Sequence, residues 1–582
     1  MALFSPSESP AVTFKEVDLT GIAPNVQTTT GAFVGNFNWG PVDAPTLISN
    51  EANLVERFST PDTNNSVDFH TATSFLTYSN SLYVIRGAES AAVNAYDSDG
   101  SVSAPTINNR VNFDNQISTL NTNGHTFIGK WRGSLGNSIK VEVCPADSAS
   151  GLGTAFTGWT YKNEFDSKPQ TSTYASNKGA LNDEVHVVVL DEDGEFSGTR
   201  GTVLERYPFL SLASDAKNTD GSSNYMIDVI NNNSSYIWAA GFNSDLTNTA
   251  NAGTDTVNGR DYVLDAVAVQ SSSLVGGANS GTLSPATINA GYNLIQDPDT
   301  YQVDFLIGPA LPSTNDSADA IAENLITIAG TTRKDCVAVI SPPKSKVVNN
   351  SGSEVTDVIA FADGLAASSY AFVDDQHLKM FDKYNDEFIF IPSSGSTAGL
   401  MARADRDAAP WFSPAGVNRG TYFNVVGLSH NTTKSQRDSL YRSGVNPITN
   451  LPGQGVTLFG DKTLSRKPSA FDRINVRRLF ITLERSISRA ARNVLFELND
   501  EFTRAEFVNI VEPVLRDVKG RRGITDFRVV CDETNNTAAV IDRNEFVATI
   551  FIKPSRSINY ITLNFVATRT GVDFEEVAGQ AA

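Results

Sequence analysis

Val303-Asp304-Phe305-Leu306-Ile307, a helix-like stretch over 318–329, and then Cys336-Val337-Ala338-Val339-Ile340 form the passage that decides the fold class. Two short, almost wholly apolar runs with a helical period between them are the pattern of strands buried on both faces and joined by a helix. Pro342-Pro343 ends the second run, because proline has no N–H to offer a neighbouring strand. Working outward, the same alternation occurs near the start of the chain. An apolar run, Ala32-Phe33-Val34-Gly35, precedes helix-like segments over 50–58 and 68–78 and a buried-strand run, Leu82-Tyr83-Val84-Ile85. On the other side a long helical stretch covers 355–370. Both regions read as α/β.

Between about 88 and 300 the signal changes to short strands separated by turn residues, as in Val185-His186-Val187-Val188-Val189-Leu190 followed by Asp191-Glu192-Asp193-Gly194. Polar stretches over 243–259 and 271–280 belong to surface loops, since apolar runs resume on both sides. The last segment carries two helices and then two apolar-rich strand runs, 545–553 and 558–567, joined by Pro554-Ser555-Arg556-Ser557; they suit an antiparallel hairpin. Both chain ends look like arms. Residues 1–22 are rich in Ser, Pro and Thr, but Val12, Phe14 and Val17 interleave with Thr13, Lys15 and Glu16. The end, Thr570-Gly571-Val572-Asp573-Phe574-Glu575-Glu576-Val577, is too short to fold alone. Two arms and an exposed hairpin are the ingredients for strand addition between subunits, although frayed termini have the same composition.

At 582 residues the chain holds about three to five domains. With 40% apolar and 9% aromatic residues it is globular. The 45 Lys+Arg against 65 Asp+Glu give a net charge of −20, which argues against a general nucleic-acid or anionic-membrane binder. That charge is uneven: 462–582 holds 19 basic and 16 acidic residues, leaving −23 on 1–461. Such asymmetry fits one part facing solvent and another facing a partner. Cys144, Cys336 and Cys531 are nearly 200 residues apart, so neither a disulfide framework nor a zinc site is expected. The start lacks a basic region followed by an apolar stretch, and no run approaches the ~18 apolar residues of a membrane span; a soluble, reducing compartment is the expectation.

Chemistry is hard to find. No GxxxxGK[ST], GxSxG or HExxH occurs, and the five histidines, 70, 125, 186, 377 and 430, are dispersed. His186 falls inside a strand run and reads as packed. Asp97-Ser98-Asp99-Gly100 and 191–194 resemble pieces of calcium loops but lack the full spacing, and acidic turns account for both. No catalytic, metal or cofactor-binding residue is assigned. The segment after Phe471 reads as a helix that Asp472 can cap, with Val476, Leu479, Phe480, Leu483, Ile487, Ala490 and Val494 on one face. At ~100° per residue, Arg478, Arg485, Arg489 and Arg492 share a stripe roughly 60° wide on the other face. No acid sits three or four residues from them in the helix. Like charges on one line cost about 0.2–0.5 kcal/mol per pair, so an acidic partner outside the helix is one reading and a solvated face the other. A second helix follows, with Thr503-Arg504-Ala505-Glu506 as a capping box.

Several longer stretches match a known family. They are Gly35-Asn36-Phe37-Asn38-Trp39-Gly40-Pro41, Phe381-Asp382-Lys383-Tyr384-Asn385-Asp386, and Trp411-Phe412-Ser413-Pro414-Ala415-Gly416-Val417-Asn418-Arg419-Gly420. Phe471-Asp472-Arg473-Ile474-Asn475-Val476-Arg477-Arg478-Leu479-Phe480, Phe496-Glu497-Leu498-Asn499, and the stretches 540–546 and 558–567 add to them. On these residues the chain resembles the major tail sheath proteins of contractile-tailed, T-even-like bacteriophages, over 1–87 and 300–582; the middle is only loosely similar.

The resemblance implies a multidomain α+β and α/β protein. A discontinuous α/β middle domain takes 23–87 and 300–461, 88–299 is a β-rich outward insertion, and 462–582 is an inner domain facing the tail tube, joined by the arm 1–22 and ending in the arm 568–582. It implies a structural virion protein without enzymatic activity or cofactor, assembled in the host cytoplasm, whose copies stack as six-subunit rings around the tube and contract to drive it through the host envelope. Its partners would be itself, the tube protein, and baseplate and terminator proteins, with no nucleic acid or membrane. The resemblance assigns strands of the arms to Val12, Phe14, Val17, Val572, Phe574 and Val577, and an acceptor hairpin to Phe546, Val547, Ile550, Ile552, Ile561, Leu563 and Phe565. The basic stripe Arg478, Arg485, Arg489 and Arg492 would grip an acidic tube. Only about 45 residues lie between Arg86 and the region beginning at Trp131, so the outermost protruding domain of T-even-like sheaths is expected to be reduced or missing. The competing class is an enzyme or a carbohydrate-binding module on the insertion, for which Trp131, Trp159, Tyr161, Tyr225, Tyr236 and Trp238 are the candidates, although packing explains them more cheaply.

Overall fold

The computed structural model describes residues 29–97, 104–146, 155–241, 262 and 269–558. They fall into a body over Pro24–Arg489 and a smaller unit whose described part begins at Ala490. Grouped by packing, most of the long basic helix, Ile474–Ala491, falls with the body.

The body is built on seven strands: β1 (Gly31–Gly35), β2 (Thr46–Ile48), β3 (Leu82–Arg86), β4 (Phe305–Ile307), β5 (Val337–Ile340), β6 (Ala371–Asp374) and β7 (Val445–Asn446). They lie in the order β7-β6-β5-β4-β1-β3-β2, all parallel except β2, which runs antiparallel on β3. β1 takes β4 on one side and β3 on the other, with Gly31 opposite both Phe305 and Leu82, so the two separated α/β stretches of sequence share one sheet.

Successive side chains leave a strand on opposite faces. Ala32, Val34, Ile85, Leu306, Ala338 and Ile340 meet the helices Pro285–Asn293, Asn315–Thr327 and Glu354–Gly364 through Tyr292, Ile321, Leu325 and Phe361. Phe33, Leu82, Val84, Phe305, Ile307 and Val339 meet Glu51–Phe58, Ser66–Leu76 and Ser394–Asp407 through Phe58, Phe69, Phe75 and Met401. Two covered faces are why these strands read as continuous apolar runs. Ser394–Asp407 lies close on Ser66–Leu76 because Gly395 and Gly399 have no side chain; a Cβ there would collide with the Thr71 carbonyl and the Tyr78 ring. The helix expected over 355–370 stops at Gly364, where Arg466 donates to the carbonyls of Ala362, Asp363 and Leu365 that the helix end leaves open.

Between β3 and β4 the chain forms a second, antiparallel seven-stranded sheet. Its order is Thr202–Ser211, Glu184–Asp191, Ile139–Pro145, Gln270–Val275, Asn94–Asp97, Phe127–Arg132 and Ile237–Ala239. Trp159 and Trp238 are buried and stacked on Phe165 and Phe113, and His186 stacks on Phe165 at 4.2 Å between centroids. The 191–194 turn is organised by its own acid: the Asp191 carboxylate accepts from Ser138 Oγ and from the N–H groups of Gly194, Phe196 and Ser197.

Arg86, at the end of β3, is wholly buried without a carboxylate partner among the described residues. It donates instead to four carbonyls, those of Phe37 (2.7 Å), Asn38 (3.4 Å), Gly40 (2.9 Å) and Arg132 (2.7 Å). Burial, with Arg132 nearby, brings the guanidinium down to about 9. The 35–41 stretch is thus a backbone cradle, tied also through the Asn36 N–H to Asp68, whose carboxyl burial pushes up to about 6.

In the smaller unit a helix, Glu501–Gly520, is capped by Asp500, whose carboxylate accepts the Thr503 N–H at 2.8 Å. The cap lies three residues before the expected capping box, because Asp500 already takes the extended backbone a cap requires. After it, Ile524–Val530 pairs antiparallel with Thr549–Pro554. Thr549–Pro554 overlaps the first run of the expected hairpin; its described partner comes from before it in the chain, and 559–567 of the second run lies outside the described residues.

Candidate functional site

The helix Ile474–Ala491 is 18 residues, about 27 Å, long. Its apolar positions Val476, Leu479 and Leu483 are buried, as the period demands, but burial does not stop at that face. Ile474, Arg478, Ile481 and Arg485 line the opposite stripe, and Ile474 and Ile481 belong to the body's core together with Phe305, Met401 and Leu378. From Ile474 to Leu479 every residue is buried.

The arginines of the stripe are accordingly paired inside the molecule. Arg478 is buried, forms an ion pair with Asp405, donates to the Met401 carbonyl at 3.2 Å and lies over the Phe305 ring at 4.9 Å. Arg485 donates to Asp304 Oδ1 at 2.5 Å and to the Asp335 carbonyl at 2.8 Å, and its Nη2 stands 3.6 Å from Asp335 Oδ2. Asp304 also accepts the Thr30 N–H at 2.9 Å, at the mouth of β1, and Asp335 pairs with Arg333 at 2.9 Å. Arg477 sits over the Phe471 and Tyr370 rings at 3.9 and 4.2 Å and donates to Ser369 Oγ at 2.8 Å. Arg473 bonds Asp461 at 2.8 Å.

The expectation that Arg478 and Arg485 face a partner molecule is therefore corrected: their acids are Asp405, Asp304 and Asp335 of the same chain. Burial pushes the Asp304 carboxyl above its ordinary range, and the Arg485 guanidinium only partly pulls it back. A pair of this kind adds little net stability, yet it fixes one docking geometry, because any other leaves a buried charge alone. Arg489, partly exposed, donates to Gln302 at 3.2 Å, and Arg492 is exposed. Asp304 carried the one signal sequence reading missed: it is a lone acid inside an apolar strand run, which has to find a cation. Asp335 and Asp405 stand in mixed surroundings and gave none.

Other titratable groups are tied up in the same way. His70 lies 3.0 Å from Asp382, and His377 contacts the Pro342 carbonyl at 2.9 Å. Among the described residues no three His, Cys, Asp or Glu are grouped to hold a metal, and no helix is long and apolar enough to cross a membrane. Of the acceptor residues, Ile550 and Ile552 lie in the strand Thr549–Pro554, Phe546 and Val547 precede it, and Ile561, Leu563 and Phe565 fall outside the described residues, as do Val12, Phe14, Val17, Val572, Phe574 and Val577. The arrangement is one of clasped charges and packed aromatics, suited to holding shape.

Two family models match the chain: one described as the phage tail sheath protein central domain over 288–464, and one as the phage tail sheath C-terminal domain over 466–568. The tail sheath protein of Salmonella phage ViI is 32% identical over 99% of this chain and 98% of its own. That of Enterobacteria phage T4 is 31% identical over 98% and 99%. Among solved structures, the sheath tail protein of Listeria innocua shares the fold at a TM-score of 0.51, 10% identical, covering 91% of this chain and 96% of that one.

Proposed function

Because the chain belongs to the phage tail sheath protein family, we propose that it is the sheath subunit of a contractile tail, stacked in six-subunit rings around a tail tube and contracting irreversibly to drive that tube through a host envelope. The observation that carries the reading is similarity to tail sheath proteins along essentially the whole chain, ends included. In this reading the subunit is a structural virion component, not an enzyme; the work of contraction resides in subunit interfaces better satisfied in the contracted lattice than in the extended one. The tube, the baseplate and a terminator at the far end are its partners beside its own copies.

The smaller unit has what a strand-exchange assembly needs. Two paired strands alone are marginal in water, and Ile524–Val530 and Thr549–Pro554 make up a sheet of only two among the described residues. Arms carrying Val12, Phe14 and Val17, or Val572, Phe574 and Val577, would complete such a sheet across copies. The tube-gripping role falls to Arg489 and Arg492 at the end of the basic helix, whose side chains reach solvent, since Arg478 and Arg485 are turned into the body against its acids. The T4 alignment runs over 665 positions against 582 residues here, the direction expected if the outermost protruding domain is reduced.

Electron microscopy of the purified full chain tests the reading: hollow, transversely striated tubes are expected. Dispersed particles at every concentration and salt would overturn it.

A further inference from the structure

We propose that a cationic cleft on the body, beside Lys462, receives an acidic segment from the surface of a second copy of this chain. The inference rests on the polymeric reading above and adds a partner surface to it.

The cleft encloses about 350 Å³ and carries four cations, Arg442, Lys462, Arg466 and Lys467, against two acids, Asp363 and Asp472. Its construction is local. The helix Lys434–Arg442 ends at Arg442, and the chain turns into β7 through Ser443 and Gly444, whose φ of 84° is a left-handed conformation that glycine adopts without strain. Asn446 of β7 then holds Lys462 from both sides, accepting its N–H at 2.7 Å and donating to its carbonyl at 2.8 Å. The Lys462 ammonium donates to the Tyr441 carbonyl at 2.6 Å and lies 4.5 Å from the Tyr441 ring centre. Burial and the neighbouring Arg473 both act against its charge.

The four cations have different work. Arg466 is engaged by the end of the helix Glu354–Gly364, and Lys462 by Tyr441. Arg442 and Lys467 are exposed and make no ion pair among the described residues. A cleft lined by two engaged and two unengaged cations, which outnumber its acids Asp363 and Asp472, with Ser443 and Ser465 beside them, suits an oxyanion. Its volume is that of a small ligand site and exceeds what one carboxylate fills, so a short acidic segment fits better than a single side chain.

Charge complementarity points to the chain itself as donor. Residues 1–461 carry a net −23, so a neighbouring copy brings an excess of carboxylates. A basic cleft on one copy meeting an acidic patch elsewhere on the next is a heterologous contact, the kind that builds open helical arrays rather than closed dimers.

The test uses the full chain. R442E/K467E and the milder R442Q/K467Q are compared with wild type for thermal unfolding, then for critical concentration of polymerisation by sedimentation at low and high NaCl, with sodium tripolyphosphate as a soluble competitor. The expected result is unchanged unfolding, a critical concentration about tenfold higher for the Glu variant, a weakened salt dependence in both, and inhibition by tripolyphosphate in wild type alone. Wild-type tubes with variants that polymerise identically overturn the inference and leave the sheath reading standing. Tripolyphosphate that binds wild type, is lost in the variants and has no effect on polymerisation overturns it in favour of a free-anion site. A wild-type chain that never polymerises removes both.

Discussion

Replacing Arg485 by Met should loosen the basic helix from the body by an amount the geometry sets. The substitution keeps the aliphatic stem and removes the guanidinium that faces Asp304 at 2.5 Å and Asp335 at 3.6 Å. The Asp304 side chain is only 7% exposed, so away from water its carboxylate loses the cation that hydrogen-bonds it and keeps only the more distant field of Arg478. Removing one partner of a buried pair costs about 3–5 kcal/mol. Asp304 keeps its bond from the Thr30 N–H, which favours the lower end. Because the chain has several domains, a global melt would blur the effect, whereas amide hydrogen exchange reads local opening. A loss of 3–5 kcal/mol makes exchange of the slow amides in 478–489 roughly two to four orders of magnitude faster. D304N/R485M should recover part of that loss, since the stranded charge is gone and Asn still accepts from Thr30. Exchange in R485M within tenfold of wild type, or a double variant as fast as the two single effects added together, would refute the argument that the pair acts as a clasp.

The buried Asp374, pushed up to about 7 by burial despite hydrogen bonds from Ser393, Ser341 and Thr397, holds its proton more tightly folded than unfolded. Its stabilising contribution is therefore complete below pH 4 and is lost as pH rises toward and through 7, on the order of 4 kcal/mol at most; urea midpoints at pH 5 and 8 should differ less in D374N than in wild type, and equal differences would count against it. Deleting residues 1–18 should abolish extended polymers while leaving a folded soluble chain, checked by sedimentation and circular dichroism; regular tubes from the truncated chain would remove the arm mechanism. R489E/R492E should leave folding intact and weaken co-sedimentation with tail tubes about tenfold or more, increasingly so at low salt, and unchanged binding would exclude the helix end from the tube contact.

The sheet was legible because its strands are buried on both faces: 305–307, 337–340, 31–35 and 82–86 all announce themselves as apolar runs, and Pro342-Pro343 marks where 337–340 stops. The basic helix was legible as a helix but not in its setting. Periodicity separates an apolar stripe from a charged one; it does not say whether the charged stripe meets water or acids, and the acids here stand 73 and 181 residues away in the chain. Ile474 and Ile481, on the arginine side, were the residues that could have corrected this. The pairing of Thr549–Pro554 was illegible for another reason. Several runs near it alternate well enough to serve as its neighbour, and Ile524–Val530 carries Asp526 and Arg528, which disguise it.

The four carbonyls around Arg86 have a consequence for how this lineage can vary. A socket made of main-chain oxygens recognises the path of the chain and no side chain at all, so the contact it makes with Arg132 survives any substitution that lets the backbone return to the same place. The root of the inserted sheet joins this main-chain contact to side-chain ones, such as Trp39 edge-on to Phe196 at 5.1 Å. An outer segment that brings its backbone back to Arg132 keeps this joint whatever side chain it carries there, and a foreign domain grafted beyond it would have to cover Trp39 as Phe196 does.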